Sequence, residues 1–241
     1  MKNRYLMMLS LTAMLVTTSA FADGGVSFSR NRLVFPAQEK SISLTVKNAG
    51  EATYLVQAGM SGDKETGTPA PFVVTPPLFR LEARSQNIMR ILRTGGNLPT
   101  DRESVFYFYA NTIPSQAAPS AKDGDGGHAM GATLSISMKT ILKVFWRPQN
   151  LAVAPADAPG MMHFIRGAGA VVVKNPTPYY QSFASLSFDG QPQDLNQGPS
   201  MVSPYSELRF PVKQTVSTVT WSVMNDYGGT TDARTQPVTA Q

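Results

Sequence analysis

Cysteine is absent from all 241 residues of the chain, and its absence excludes several kinds of chemistry and structural support. No disulfide can cross-link the fold, no thiolate can act as a nucleophile, and no metal can be held by cysteine ligands. Long apolar runs are also lacking, since no stretch approaches the roughly 20 residues that a membrane-spanning helix needs. We therefore expect a fold that is stabilised by packing alone and that does not insert into a membrane.

A strong excess of charge of one sign is also missing. The chain has 21 Lys and Arg against 16 Asp and Glu, a formal net charge of +5 at pH 7. Its cations are scattered, whereas nucleic-acid binding and attraction to an anionic membrane surface both favour clustered Lys and Arg. The sequence therefore predicts no nucleic-acid partner.

Histidine is scarce, which limits catalysis and metal binding. The only two, His128 and His163, lie in different predicted domains, and a catalytic triad or zinc site would need more partners. Residues 122–128, KDGDGGH, place two aspartates near a histidine but lack the spacing of a calcium loop, so we favour a solvated loop over a metal site. No serine occupies a G-x-S-x-G motif. We expect no catalytic residues, no metal and no cofactor, and a secreted hydrolase is a weak alternative.

The first 22 residues have the layout of a secretory signal peptide. Lys2 and Arg4 form a basic start, residues 6–16 are mostly apolar and uncharged, and residues 20–22, AFA, give a small-x-small cleavage pattern. We expect cleavage after Ala22, which removes 22 of the 241 residues and leaves an exported chain of 219 with a net charge of +3.

Short segments with an apolar–polar period of two recur along the rest of the chain, with turn residues between them and no long helical periodicity. Such a pattern is typical of antiparallel β-sandwiches. The predicted strands are residues 41–47, 54–60, 72–74, 87–93 and 105–111, followed by 163–165, 170–174, 181–188, 207–212 and 215–224.

The apolar–polar alternation is interrupted after Arg147, and this interruption divides the predicted strands into two groups. The segment RPQNLAVAPADAPG contains three prolines and almost no alternation, as expected of a linker. We predict an all-β protein with two sandwich domains, residues 23–147 and 148–241. The tail beyond Tyr227 has no evident core residues, so we expect it to be unattached.

Residues 131–148, GATLSISMKTILKVFWRP, form a predicted strand whose two halves differ. Leu134, Ile136 and Met138 alternate with polar residues, which favours burial on one face. The second half is apolar on both faces apart from Lys143, which favours burial on both. From the pattern alone, the three apolar residues cover the protein's own core and Lys143 extends its ammonium group to solvent.

Seven motifs together resemble the periplasmic chaperones of the chaperone-usher pathway, and they cover nearly the whole exported chain in the family's order. They are RNRLVF, YLVQA, FVVTPPLFRLE, LPTDRES, KVFWRP, VKNPTPYY and MNDYGG. The resemblance implies two immunoglobulin-like domains set at an angle and a location in the periplasm. It also implies that the protein binds, folds and caps pilus or fimbrial subunits and delivers them to an outer-membrane usher.

The family's mechanism is donor-strand complementation, in which the chaperone lends a strand to a subunit that lacks one. By resemblance, Leu134, Ile136 and Met138 are the donor residues that enter the subunit's groove. Arg32 of RNRLVF and Lys143 of KVFWRP match the family's two cations that bind the subunit's C-terminal carboxylate.

A second set of residues matches the family's charged network between the domains. It consists of Glu103 in DRES, Arg147 in FWRP and Asp226 in NDYGG. An arginine between two carboxylates can hold both by charge-assisted hydrogen bonds, so we expect this network to fix the interdomain angle.

One segment departs from the short-loop members of the family. Residues 114–133 are long for this connection and resemble the long-loop branch, in which Met130 and Ala132 would extend the donor stripe. The cysteine pair often present in that branch is missing, so the branch stays open. The sequence also leaves open the cognate subunit, whether the free protein caps itself as an oligomer, and an alternative function as a two-domain fimbrial subunit or surface adhesin. Against that alternative, residues 23–28 are too short for a subunit's donor extension.

Overall fold

A computed structural model describes residues 25–65, 67–115 and 135–240, and within them nearly all regular structure is β-strand. The only helical element in this part of the chain is a 3-10 turn at Ala158–Met161. The strands are β1 Val26–Phe28, β2 Arg32–Pro36, β3 Ser41–Asn48, β4 Tyr54–Ser61, β5 Phe72–Thr75, β6 Leu78–Leu81, β7 Gln86–Arg93, β8 Ser104–Pro114, β9 Met138–Arg147, β10 His163–Gly167, β11 Ala170–Asn175, β12 Gln181–Phe188, β13 Gln191–Pro192, β14 Met201–Val202, β15 Ser206–Pro211, β16 Thr218–Val223 and β17 Arg234–Pro237.

The first nine strands form one sandwich. A four-stranded sheet has the order β1-β3-β7-β5, and a five-stranded sheet has the order β2-β9-β8-β4-β6. Alternate residues of both sheets meet in a single core, where Phe35, Phe108, Leu44 and Met89 are fully buried. Burial of large apolar side chains at about 1.5–3 kcal/mol each stabilises this domain without disulfides.

The remaining strands form a second sandwich. A three-stranded sheet, β10-β11-β15, faces a sheet of order β13-β12-β16-β17, with β14 paired to β12. Its core centres on aromatic residues, among them Phe164 at 4.7 Å from Trp221 by ring centroids. The predicted architecture of two β-sandwich domains is confirmed.

The expectation that the tail beyond Tyr227 is unattached is wrong. Strand β17 pairs with β16, and Val238 is buried in the second core. Its backbone N–H donates to the carbonyl of Ser217 at 2.8 Å. The tail lacks alternation because Val238 is its only large apolar residue, so the sequence pattern gave no sign of this strand.

Among the described residues, no helical segment has the length and apolar character needed to cross a membrane. The predicted signal peptide and the segment KDGDGGH lie outside the described residues.

Candidate functional site

The first half of β9 has an open edge. Strand β9 pairs with β8 from Met138 to Trp146, but β2 pairs with it only from Arg32 opposite Lys143 onward. Within the described part of the chain, the stretch Met138–Leu142 therefore has a partner on one side only. An edge of this kind presents unpaired backbone N–H and C=O groups to which another strand can bind.

The open edge exists because the chain changes sheets just before β2. Strand β1 pairs with β3 in the opposite sheet, and the chain then bends at residues 29–31 to begin β2 beside β9. Had these residues continued β2 backward, they would have covered the edge. The part of the β9 edge that is left without a partner among the described strands therefore ends where β2 begins, at Arg32.

The apolar stripe of β9 changes its environment along the strand. Leu142 is only 7% exposed in the protein's own core, whereas Met138 is 63% exposed and Ile136, just before the strand, is 67% exposed. Met138 and Leu142 have the same parity on β9 and therefore project to the same face, and Ile136 continues that parity. The simpler expectation that the stripe covers the protein's own core is wrong for Ile136 and Met138. Leu134, Met130 and Ala132 lie outside the described residues.

Two cations lie side by side where the open edge ends. Arg32 and Lys143 are opposed in the parallel pairing of β2 and β9, so their side chains share a face. Arg32 is 5% exposed, its Nη1 donates to the carbonyl of Met224 at 2.8 Å, and its guanidinium lies 4.4 Å from the centroid of the Phe145 ring. Its buried Nε has no hydrogen-bond partner in the described structure. A buried donor without a partner is uncommon in native proteins and indicates that an acceptor is expected there.

The electrostatics of the two cations favour an anion. Burial, and then the neighbouring charges of Lys64 and Arg32, lower the pKa of Lys143. Burial likewise lowers the pKa of Arg32, against the opposing charges of Glu103 and Asp226. No Asp or Glu among the described residues forms an ion pair with Lys143. A bound carboxylate would therefore offset the repulsion between the two cations.

The three residues predicted to form an interdomain network are brought together. Arg147 Nε donates to Glu103 Oε1 at 2.8 Å, and its two Nη atoms donate to the Asp226 carboxylate at 2.6 and 2.7 Å. The backbone N–H of Tyr180 donates to the other Glu103 oxygen at 2.9 Å. Glu103 and Arg147 belong to the first domain, whereas Asp226 and Tyr180 belong to the second.

The two carboxyl groups of this network differ in their environment. Burial raises the pKa of Glu103, and the charge of Arg147 and the two N–H donors oppose that rise only in part. Burial also acts to raise the pKa of Asp226, but the hydrogen bonds and charge of Arg147 outweigh it and lower that pKa. Asp226 is thus the carboxylate whose ionised form the folded protein favours.

Sequence reasoning missed further contacts between the domains. The side-chain amide of Asn31 donates to the carbonyl of Gly228 at 3.0 Å, and the rings of Phe145 and Tyr180 lie 5.6 Å apart by centroids. Gly228 has a φ of +83°, and a Cβ there would overlap the Asn31 side chain. The paired glycines of NDYGG were the one sequence signal for this close approach.

The described residues contain no group of three or more His, Cys, Asp or Glu that could hold a metal ion. His163 is the first residue of β10 in the second domain, whereas Arg32 and Lys143 lie on β2 and β9 of the first.

Comparison with known families places both domains. Residues 25–152 match the pili and flagellar-assembly chaperones, PapD N-terminal domain, and residues 157–235 match the pili-assembly chaperone PapD, C-terminal domain.

Curated relatives are similar along nearly the whole chain. The protein named "Probable fimbrial chaperone protein ElfD" of Escherichia coli is 35% identical over 229 residues, which are 92% of each chain. The chaperone protein HifB of Haemophilus influenzae is 34% identical over 214 residues, which are 86% of each chain.

Solved structures show the same fold. A chain from the Salmonella enterica complex of the SafA pilin with the SafB chaperone superposes with a TM-score of 0.77 at 29% identity, covering 91% of this chain and 99% of that one. The Escherichia coli chaperone DraB gives a TM-score of 0.74 at 30% identity, covering 88% of this chain and 98% of that one.

Proposed function

The chain belongs to the PapD family of pilus-assembly chaperones, and on that basis we propose that it completes unfinished pilus subunits by pairing them with the open edge of β9. The curated relatives are chaperones and not fibre subunits, which argues against a two-domain fimbrial subunit or adhesin. The similarity to a chain of a pilin–chaperone complex supports a pilus subunit as the partner.

One observation carries the proposal: the open edge and the exposed stripe end at the two cations. A guest strand along Met138–Leu142 would be stopped at the level of Lys143, because β2 already occupies the next position. A terminal carboxylate at that point would meet both Arg32 and Lys143. Charge-assisted hydrogen bonds to such a group contribute about 1.5–3 kcal/mol each.

This geometry also sets the direction of the guest strand. If its C-terminus lies beside Lys143 and its body lies beside Met138, it runs in the same direction as β9, as β2 does. The anchored terminus fixes register, and a slip of one residue would turn every guest side chain to the opposite face.

The exposed stripe supplies the apolar part of the interaction. Ile136 and Met138, with Leu134 before them, would enter the groove that the subunit leaves open. Each large apolar side chain that becomes buried contributes about 1.5–3 kcal/mol before the entropy of ordering is subtracted. The function is therefore one of binding and not of catalysis.

Location and onward delivery follow from the family. We propose that the protein is exported by its first 22 residues and acts in the periplasm. It would pass its subunits to an outer-membrane usher, since chaperones of this pathway work with such a partner.

Co-expression with a pilus subunit of the same organism tests the proposal. We expect a 1:1 complex in periplasmic extracts of the unchanged protein and none with the double variant Arg32→Ala, Lys143→Ala. If that double variant still protected the subunit from degradation, the carboxylate anchor would be refuted.

A further inference from the structure

An exposed tyrosine stands beside the carboxylate site without a partner of its own. Tyr227 is 87% exposed, and within the described part of the chain its hydroxyl makes no hydrogen bond. It lines a cavity of about 420 Å³ at the open edge of β9, together with Phe28, Arg30 and Leu142. It also lines the cavity between the domains that contains Arg32. The ring therefore lies where the open edge meets the anchor.

The backbone that carries this ring is held firmly. The Asn225 side chain accepts hydrogen bonds from the backbone N–H groups of Tyr227 and Gly229, both at 3.0 Å. The N–H of Asn225 donates in return to the carbonyl of Gly229 at 2.9 Å. Asn31 attaches the same turn to the first domain through the carbonyl of Gly228. An aromatic side chain on a rigid turn loses little entropy when a ligand covers it.

The cavity has a defined place relative to the guest strand. Leu142 is the last residue of the open stretch, and its neighbour Lys143 is already paired with Arg32. A guest whose carboxylate lies at these cations therefore places one of its last two side chains at the level of Leu142. The apolar part of its wall is formed by the rings of Phe28 and Tyr227 and by the Leu142 side chain, and the rest by Ser29, Arg30 and Asn31. The two rings and the leucine favour a bulky apolar or aromatic side chain over a small one.

We propose that Tyr227 is a specificity-determining residue, which selects pilus subunits carrying a bulky apolar or aromatic side chain at one of their last two positions. This inference rests on the proposed function and adds a discriminating contact to it. The carboxylate anchor holds any free C-terminus, whereas the Tyr227 pocket distinguishes one C-terminal sequence from another.

Fluorescent eight-residue peptides test the inference. Valine and threonine alternate along each peptide, which ends in a free carboxylate. In one pair of peptides the last residue is either phenylalanine or alanine, and in a second pair the residue before it is varied in the same way. With the unchanged protein, we expect phenylalanine to bind about threefold to tenfold more tightly than alanine at one of these positions. Tyr227→Ala should bring that ratio close to one, and Tyr227→Phe should retain it.

The possible failures can be told apart by amidated peptides. If Tyr227→Ala kept the full preference, or if the unchanged protein had none, the role of Tyr227 would be refuted while the anchor stood. If amidation of the terminus, or the double variant at Arg32 and Lys143, did not weaken binding, the proposed function would fail and the inference with it.

Discussion

The charge of Lys143 destabilises the free protein but, in the proposed complex, binds the carboxylate of a subunit. Burial and two neighbouring cations lower its pKa, so the folded state disfavours its charged form. For a base with a lowered pKa, the folded state is less stable below that pKa than above it. At neutral pH the ammonium group therefore weakens the fold until a carboxylate binds.

Replacing Lys143 with methionine should separate stability from function. Lys143→Met keeps the length and removes the charge, so we expect an unchanged or higher urea midpoint for the free protein. Affinity for a subunit should fall about tenfold to a hundredfold, because one charge-assisted hydrogen bond is lost. Urea unfolding followed by fluorescence and a binding titration measure the two effects.

Lys47→Met is the matched control for this substitution. Lys47 is exposed on β3 in the opposite sheet of the same domain, so both stability and binding should be unaffected. A Lys143→Met protein that lost stability while keeping its affinity would contradict this account of Lys143.

Asp226 should make stability sensitive to acid. Its folded pKa lies below the usual value of 3.8, so its contribution is present above that value and is lost as the pH falls through the folded pKa. Near pH 7, we expect the free energy of unfolding of the unchanged protein to be about 1–3 kcal/mol larger than that of Asp226→Asn. The difference should shrink below about pH 4 in urea titrations, and a difference that stayed constant to pH 2.5 would show that the ion pair does not contribute.

The two cations illustrate what the sequence could predict about single residues. Pattern alone favoured a Lys143 that reaches to water, and only the resemblance assigned Arg32 and Lys143 to a shared site. Arg32 is in fact buried, because the second domain packs over a face that the strand pattern of the first domain leaves open. The apolar–polar alternation of a strand does not predict which of its residues another domain will bury.

At the scale of elements, β9 should tolerate polar residues where its stripe is exposed. Ile136→Asn and Met138→Asn should leave the melting temperature of the free protein within about 1 °C, because neither side chain is buried in it. Leu142→Asn has the same parity but puts an amide into the core, and should lower stability by about 2–4 kcal/mol. Subunit capping should be lost in the first two variants although they are fully folded.

Ser137→Asn is the control for the stripe. Ser137 lies between the two apolar residues with the opposite parity and is exposed, so we expect normal capping. If Ser137→Asn abolished capping as completely as Ile136→Asn, the two faces of this segment would be equivalent and the donor stripe would be refuted.

The same segment shows the limit of reading strands from alternation. The pattern extends through residues 131–148, but the strand begins at Met138. Alternation reports which face each residue would present if a strand formed there. It does not report whether a partner strand is available, and this protein lacks one along that edge within the described residues.

At the scale of the molecule, Arg147 joins the domains. Arg147→Met would leave the Glu103 carboxylate buried without its cation, and we expect a loss of about 3–5 kcal/mol. The domains should also move apart, which small-angle scattering would detect as a larger radius of gyration. Arg80→Met is the control, since that exposed pair with Glu82 lies within the first domain and should contribute less than about 1 kcal/mol.

The two sandwiches were predictable from strands and turns, but their mutual arrangement was not. It depends on contacts such as Asn31 with Gly228 and Phe145 with Tyr180, which join residues more than 30 positions apart in the sequence. Of the contacts between the domains, only the charged network was expected, and that expectation came from the resemblance.

A crystal structure of the protein bound to a pilus subunit would show whether the subunit pairs with the open edge of β9. We predict a guest strand parallel to β9 along Met138–Leu142, Ile136 and Met138 inside the subunit, and a terminal carboxylate within about 3 Å of Arg32 and Lys143. A complex in which the subunit lies elsewhere, with that edge still open and those cations still without a carboxylate, would contradict the account.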